Sequence, residues 1–304
     1  MTANVASRAL SLAALTILEL SPPEMVSCAA DAGYSHVGLR LIPATAEEPA
    51  YPVVGDTPMV REIARRLAST GVAVLDIEIL RLKGDTKVAD YAPVLETGAR
   101  LGARHVLVAG NDADETRLVA NFAELAALAA PLGLSLCIEP MPWTDVRDVR
   151  SALRILEQSG APNAGILVDA IHFDRVGNVP SDLAAIPGSR FPYVQLCDAP
   201  AQRPNDAQTI LHQARAERMM PGDGGLDLVG LLHALPPGLP LSIEVPMRTL
   251  AKTVDARERA RRLKAKTLAL LEKTGMMIED RGSTRRIAGG PSAEAFEPSR
   301  SRDR

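Results

Sequence analysis

The chain has 304 residues, a formal net charge of −3 and a hydrophobic content of 46%. The near-neutral balance gives no basic field to draw in nucleic acid or an anionic membrane, and a 3% aromatic content leaves little for stacking on bases. No uninterrupted apolar run reaches about eighteen residues, so no membrane span is expected.

The N-terminal stretch Met1 to Leu20 is mildly apolar but carries Arg8 and Glu19, and it runs straight into a helix start, so no signal peptide is expected. Its apolar part, Ala9 to Ile17, reads as the first strand. Ser21-Pro22-Pro23-Glu24 supplies a cap, an early proline and an early acid, which predicts a helix to about Ala32, ended by Gly33. His36 to Leu41 is the second strand, and a proline-containing loop runs from Ile42 to Asp56. Thr57-Pro58 opens a helix through Leu67, stopped near Gly71. The third strand is Val72 to Leu80. A helix over Lys87 to Leu101, closed by Gly102, leads to the fourth strand, His105 to Val108. Asp114 to Leu132 is helical and rich in alanine and leucine, with Gly133 after it. The remaining strands are Leu134 to Ile138, Ala164 to Val168, Tyr193 to Cys197 and Leu239 to Val245. The helices among and after them are Asp145 to Ser159, a short one over Pro180 to Ile186, Leu226 to Leu235, and a long amphipathic one over Asp255 to Lys273.

Strands that alternate with helices pair in parallel through right-handed crossovers, and eight such units are the number that closes a (β/α)8 TIM barrel. A doubly wound sheet is the alternative, but it uses a glycine-rich first turn, and Leu18-Glu19-Leu20-Ser21-Pro22 has no glycine. We expect an α/β fold, one barrel domain over residues 1–275, followed by a disordered tail over residues 276–304 that is rich in Gly, Ser, Pro and charge.

Four strand ends carry metal-capable side chains: Glu139, Asp169, Gln195 and Glu244 follow or end the apolar runs of strands five to eight. A carboxylate at the end of a buried strand is costly unless something pairs with it. Neighbouring strands lie about 5 Å apart, so the four can converge at one rim. Three carboxylates and an amide oxygen are hard donors that suit Mn²⁺ or Mg²⁺. Taken singly, Asp169 could instead cap the following segment and Glu244 could pair with Arg248. Cys28, Cys137 and Cys197 form no CxxC pair, which suggests buried free thiols and a reducing, cytoplasmic setting.

The motifs Ile138-Glu139-Pro140, Leu167-Val168-Asp169-Ala170-Ile171-His172, Tyr193-Val194-Gln195-Leu196-Cys197-Asp198, Pro221-Gly222-Asp223-Gly224-Gly225-Leu226-Asp227 and Ser242-Ile243-Glu244-Val245-Pro246 occur in this order. Together they resemble the xylose-isomerase-like TIM-barrel superfamily of sugar phosphate isomerases and epimerases, over roughly Ser11 to Lys273. The resemblance implies a divalent-metal isomerase or epimerase acting on a ketose or cyclic keto-polyol through a metal-stabilised enediolate. Metal ligands would be Glu139, Asp169, Gln195 and Glu244, with Glu139 and Glu244 also moving the proton. It implies substrate contacts for His172 and Arg218. Trp143 is added as an apolar substrate wall at the mouth, Arg40 and Glu78 as weaker substrate contacts at or near the ends of strands two and three, and Asn111 reads as a turn residue.

Two positions depart from the family pattern. Gln195 stands where a histidine ligand is usual, and Met141 stands where a histidine often follows the fifth-strand glutamate. The Glu-Asp-Gln-Glu set resembles 3-dehydroshikimate dehydratases, so a metal-dependent lyase is the alternative activity, although those enzymes use the histidine that Met141 replaces. A non-catalytic sugar-binding barrel would also accommodate both departures. A multi-zinc phosphodiesterase on DNA is disfavoured by five histidines in a slightly acidic chain. The expected partner is a small carbohydrate or polyol, with a homo-oligomer possible.

Overall fold

The computed structural model describes residues 8–275, and the expected tail over residues 276–304 lies outside them. Nine parallel ladder segments form one sheet: β1 Leu10–Leu12, β2 His36–Arg40, β3 Ala73–Lys83, β4 His105–Asn111, β5 Ser135–Ile138, β6 Ala164–Ile166, β7 Val168–Asp169, β8 Val194–Leu196 and β9 Leu241–Ile243. The ladder runs β6-β5-β4-β3-β2-β1-β9-β8-β7. Its two ends are halves of one extended segment. β6 pairs with β5, β7 pairs with β8, and Leu167 between them donates its amide to Ile138 O at 2.9 Å. The nine ladders are therefore eight staves, and the sheet closes into a TIM barrel.

Helices α1 Pro22–Asp31, α2 Pro58–Thr70, α3 Ala92–Arg100, α4 Glu115–Ala129, α5 Val149–Ser159, α6 Ala170–Arg175, α7 Ala207–Ala216, α8 Leu228–Ala234, α9 Arg248–Ala251 and α10 Ala256–Lys273 fill the connections. Side-chain caps set many of the starts. Asp114 accepts from the Arg117 amide, Asp206 from Thr209 and Asp255 from Glu258. At α5 the cap is reciprocal: Asp148 accepts from the Ser151 amide and the Ser151 hydroxyl accepts from the Asp148 amide.

Several sequence boundaries shift for local reasons. The first strand is only three residues, because the chain turns into a 3₁₀ helix at Ala14–Ile17. The helix expected from Asp145 begins at Val149, since Asp148 is the residue that caps it. The helix expected from Lys87 is split into a 3₁₀ turn, Val88–Tyr91, and α3, which starts beside Pro93. The short helix expected over Pro180 to Ile186 is a 3₁₀ turn, Pro180–Leu183. Helices α6, α7 and α9 had no counterpart in the periodicity. Each of the first two follows a strand end in the site region, where polar residues interrupt the apolar pattern.

The apolar core is divided by the barrel wall. A large cluster lies between the strands and the helices, and includes Leu39, Ile77, Phe122, Ile138 and Leu263. A small inner cluster, Leu75, Ile79, Leu107, Ala109, Cys137, Met141, Leu167 and Tyr193, fills the lumen. Leu75 joins the inner cluster and Ile77, two residues on, the outer one, because the register of β3 against β2 shifts between the Val74 and Asp76 pairings and leaves Leu75 as an extra residue. The three cysteines are buried and free. Among the described residues, no helix is long and apolar enough to cross a membrane.

Packing is tight where staves and connections meet. A Cβ added at Gly165 in β6 would lie 2.6 Å from the backbone oxygen of Arg190 and 2.6 Å from Pro192 Cδ. Neither neighbour is a flexible side-chain tip. Gly165→Ala is expected to lower stability by about 1–3 kcal/mol, read as a shift in the urea unfolding midpoint with an unchanged slope.

Candidate metal and proton-transfer site

The strand order brings the four singled-out residues to one rim. Glu139 continues the β5 ladder, its amide donating to Val108 O at 2.9 Å, and Glu244 continues β9, its amide donating to Leu196 O at 3.1 Å. Asp169 ends β7 and stands directly opposite Gln195 in β8. All four side chains are buried.

Arg218 ties this rim together. Its guanidinium donates to Asp169 Oδ2 at 2.6 Å and lies 2.9 Å from Glu244 Oε2. The same group donates to Glu244 O at 3.0 Å and Ala214 O at 2.7 Å. Arg218 is therefore a buried ion-pair residue, not the surface salt bridge that is the ordinary fate of an arginine. Gln195 Nε2 donates to Glu244 Oε1 at 3.1 Å. Asp169 Oδ1 accepts from the amides of Ile171 and His172, so it also caps α6, as its position allowed. Glu244 pairs with Arg218, not with Arg248.

His172, one turn into α6, faces Glu139: its Nε2 lies 3.7 Å from Glu139 Oε1. Glu139, Asp169 and His172 each offer a ligand atom within 4.8 Å of the others. The sequence had assigned His172 to substrate contact only. The α6 cap at Asp169 is what swings it to this place. Trp143 meets His172 edge to face at 4.9 Å. Met141 is buried in the lumen cluster, with Trp143 packed against it.

On the other side of the rim, Arg40 donates to Glu48 at 2.8 Å and to Glu78 at 3.1 Å. Glu48 lies in the long loop after β2 and also accepts from the Ala44 amide, which holds that loop over the barrel mouth. A cavity of about 680 Å³ opens between these groups. Its wall includes Glu139, Glu244, His172, Arg218, Trp143 and Arg40, and Asp169 and Gln195 are not part of that wall. Asn111 stands apart from it and accepts from Arg81.

The electrostatics of the rim are uneven. Burial, then the negative charges of Glu244 and Asp169, push the Glu139 carboxyl well above the usual range. Burial lifts Glu244 to about 8, although Arg218 opposes the rise. At Asp169 burial is outweighed by the adjacent Arg218, and the carboxyl stays below its usual value. Burial drives the His172 imidazole down to about 4, which leaves it neutral and able to serve as a ligand near pH 7.

These residues fit a divalent cation. Glu139 Oε1 and Gln195 Oε1 are buried oxygens that receive no hydrogen bond. An unmet buried acceptor costs about 1–3 kcal/mol. Were all ionised, the buried carboxyls of Glu78, Glu139, Asp169 and Glu244 would also outnumber the guanidiniums of Arg40 and Arg218 that pair with them. A doubly charged, oxygen-seeking ion would answer both deficits.

The raised Glu244 and Glu139 carboxyls bind protons in the folded chain that the unfolded chain releases at lower pH. Folding stability of chelator-treated protein is thus expected to fall as pH rises from about 5 to 8, because the native state holds more protons in that interval. Melting temperatures across this range should show the decline, and Glu244→Gln should flatten it.

Comparison with known proteins places this geometry. The family model described as a xylose isomerase-like TIM barrel matches residues 26–266. A 3-dehydroshikimate dehydratase of Pseudomonas aeruginosa is 30% identical over 201 residues, which are 61% of this chain and 31% of that protein. The match thus spans about a third of the relative's length. Among solved structures, the IOLI protein with a bound zinc atom superposes with a TM-score of 0.71 at 20% identity, covering 88% of this chain and 99% of that one. D-allulose 3-epimerase from Methylomonas sp. gives a TM-score of 0.61 at 17% identity, covering 89% and 99%. At those identities the solved structures share the fold alone. The family model covers most of the barrel, and the chain belongs to the xylose isomerase-like TIM barrel family.

Proposed function

We propose that this chain is an enzyme that removes a proton from the carbon next to a ketone in a ketose or cyclic keto-polyol, with Glu139 and Glu244 as the two groups that move the proton. One observation carries the proposal. Two buried glutamates, whose carboxyls burial pushes above the ordinary range, stand in the wall of the same cavity. Carboxyls tuned upward by burial are suited to general acid–base work at physiological pH.

Glu139, Asp169, Gln195 and Glu244 would hold a divalent cation, and His172 stands close enough to Glu139 and Asp169 to share in it. When bound, the cation would lower the glutamate pKa values, polarise the ketone and stabilise the negative charge that develops on its oxygen. The chain's own groups do the rest. One glutamate takes the proton and the other returns one, which inverts or relocates the hydroxyl-bearing centre. Arg218 cannot shift without uncovering two carboxylates, so it keeps Glu244 at a fixed height in the wall. Trp143 offers an apolar face to the ring or chain of the substrate.

A second outcome of the same proton abstraction is loss of water from a β-hydroxy ketone. Gln195 in the donor set and the 30% identity to a dehydratase favour it. The two outcomes share the first step and differ in whether the second glutamate returns a proton to carbon or delivers it to a departing hydroxyl.

Three measurements test the proposal. Glu139→Gln is expected to slow incorporation of solvent deuterium at substrate carbon by about 10²–10⁴-fold, followed by NMR with a panel of keto-sugars and keto-inositols; undiminished exchange would refute it. New ultraviolet absorbance from a conjugated product would assign the lyase outcome over the epimerase one. Dialysis against a chelator is expected to lower the melting temperature, and added Mn²⁺ or Mg²⁺ to restore it, since an ion that binds only the native state stabilises it by mass action.

A further inference from the structure

Asp198 is a buried carboxylate to which neither the cation nor the proton transfer assigns a part. It lies two residues past β8 and is 1% exposed. Four backbone amides converge on its side chain. Oδ1 accepts from Ala199 at 2.9 Å and Leu226 at 3.0 Å, and Oδ2 accepts from Gly222 at 3.0 Å and Gly224 at 2.9 Å. Bonds from amides to an ionised carboxylate are stronger than those between neutral groups. The turn over residues 220–226 is wrapped around this one side chain, and little else holds it. Of residues 221–226 only Pro221 is buried, and the next four are exposed. A Cβ added at Gly224 would lie 2.4 Å from Asp198 Oδ1 and 2.4 Å from Ala199 O. Glycine at that position is what lets the backbone close on the carboxylate.

The turn begins directly after Arg218. Met219 donates its amide to Asp198 O at 2.8 Å and accepts from the Asp198 amide at 2.9 Å. On the other edge, the Arg218 amide donates to Pro246 O at 2.9 Å, and Glu217 bridges to Met247. Residues 217–219 therefore form a short rung between the chain leaving β8 and the chain leaving β9. From this rung the Arg218 guanidinium reaches Asp169 and Glu244. Arginine is a long side chain rich in rotamers, so it can hold two carboxylates in fixed places only if its own backbone is fixed.

We propose that Asp198 is a positioning residue. By closing the 220–226 turn on its carboxylate it fixes the backbone of Arg218, and through Arg218 it fixes the carboxyls of Asp169 and Glu244. Its bearing on catalysis rests on the proton-abstraction function proposed above, whereas the anchoring of Arg218 does not. Asparagine in its place would keep the shape, lose the charge and turn an N–H toward amides that are themselves donors.

Nitrogen-15 NMR of arginine-labelled full-length protein tests the anchor without metal or substrate. The Arg218 guanidinium, identified by the signals lost in R218K, is expected to exchange its protons slowly with water in the wild type. D198N should quicken that exchange about tenfold or more, the effect of losing one charge-assisted hydrogen bond, and leave the buried Arg259 unchanged. G224A crowds the carboxylate without removing it and should act in the same direction; it replaces D198N if that variant does not fold. G165A destabilises the barrel away from this turn and should leave Arg218 as it is. Unchanged Arg218 exchange in whichever of D198N and G224A folds would overturn the proposal. So would equal quickening in G165A, or an Arg218 that already exchanges freely in the wild type. Solvent-deuterium incorporation with the keto-sugar panel is the second readout. D198N should slow it in the wild type but not further in R218K, as for two residues that act through one group; additive losses would overturn the positioning role. Absence of incorporation in the wild type would count against the reaction and not against the anchor, which the NMR decides.

Discussion

The site is organised by the burial of several carboxylates at the mouth of an otherwise apolar cylinder. Ionised carboxylates out of water are costly unless partners and hydrogen bonds compensate. Arg218 provides most of that compensation. One guanidinium spans Asp169 and Glu244, and two backbone oxygens hold it in place. Because α7, β7 and β9 all contribute to this one cluster, the rim is a rigid junction between distant parts of the chain.

Rigid support of this kind leaves the remaining charge imbalance to something the polypeptide does not supply. Glu139 and Gln195 each keep an unmet oxygen, and the carboxylates outnumber the guanidiniums. The same uneven compensation separates the acid–base behaviour of neighbouring groups. Asp169, against Arg218, stays ionised, whereas Glu139, farther from that charge, holds its proton more tightly. Below the rim, burial and then the charges of Glu78 and Glu244 push the Asp76 carboxyl up as well. The lumen is thus a graded environment in which charge is tolerated only at the open end.

The arginines of the cavity extend that logic outward. Deep in the cavity, arginines are consumed by protein carboxylates. Nearer the mouth, Arg81 and Arg215 are left with an amide oxygen and an aromatic face.

Much of the fold was legible in the chain because alternation of apolar strands with capped, glycine-terminated helices is a local property. Glu139, Asp169, Gln195 and Glu244 could be singled out for the same reason: a polar residue closing an apolar run is visible without any neighbour. The split of the sixth stave around Leu167 was not visible, since it depends on pairing with β5 on one side and β8 on the other. Helix α6 was hidden because it is short and its residues carry no apolar period, although Asp169 was open to a capping role that the structure gives it. The long approach of Arg218 to two carboxylates, the grouping of His172 with Glu139 and the isolation of Arg81 and Arg215 are all long-range facts. Sequence determined which chemistry each strand end carries. Only closure of the barrel decided which charges neutralise one another and which remain for a ligand, because electrostatic pairing depends on distance in space and not along the chain.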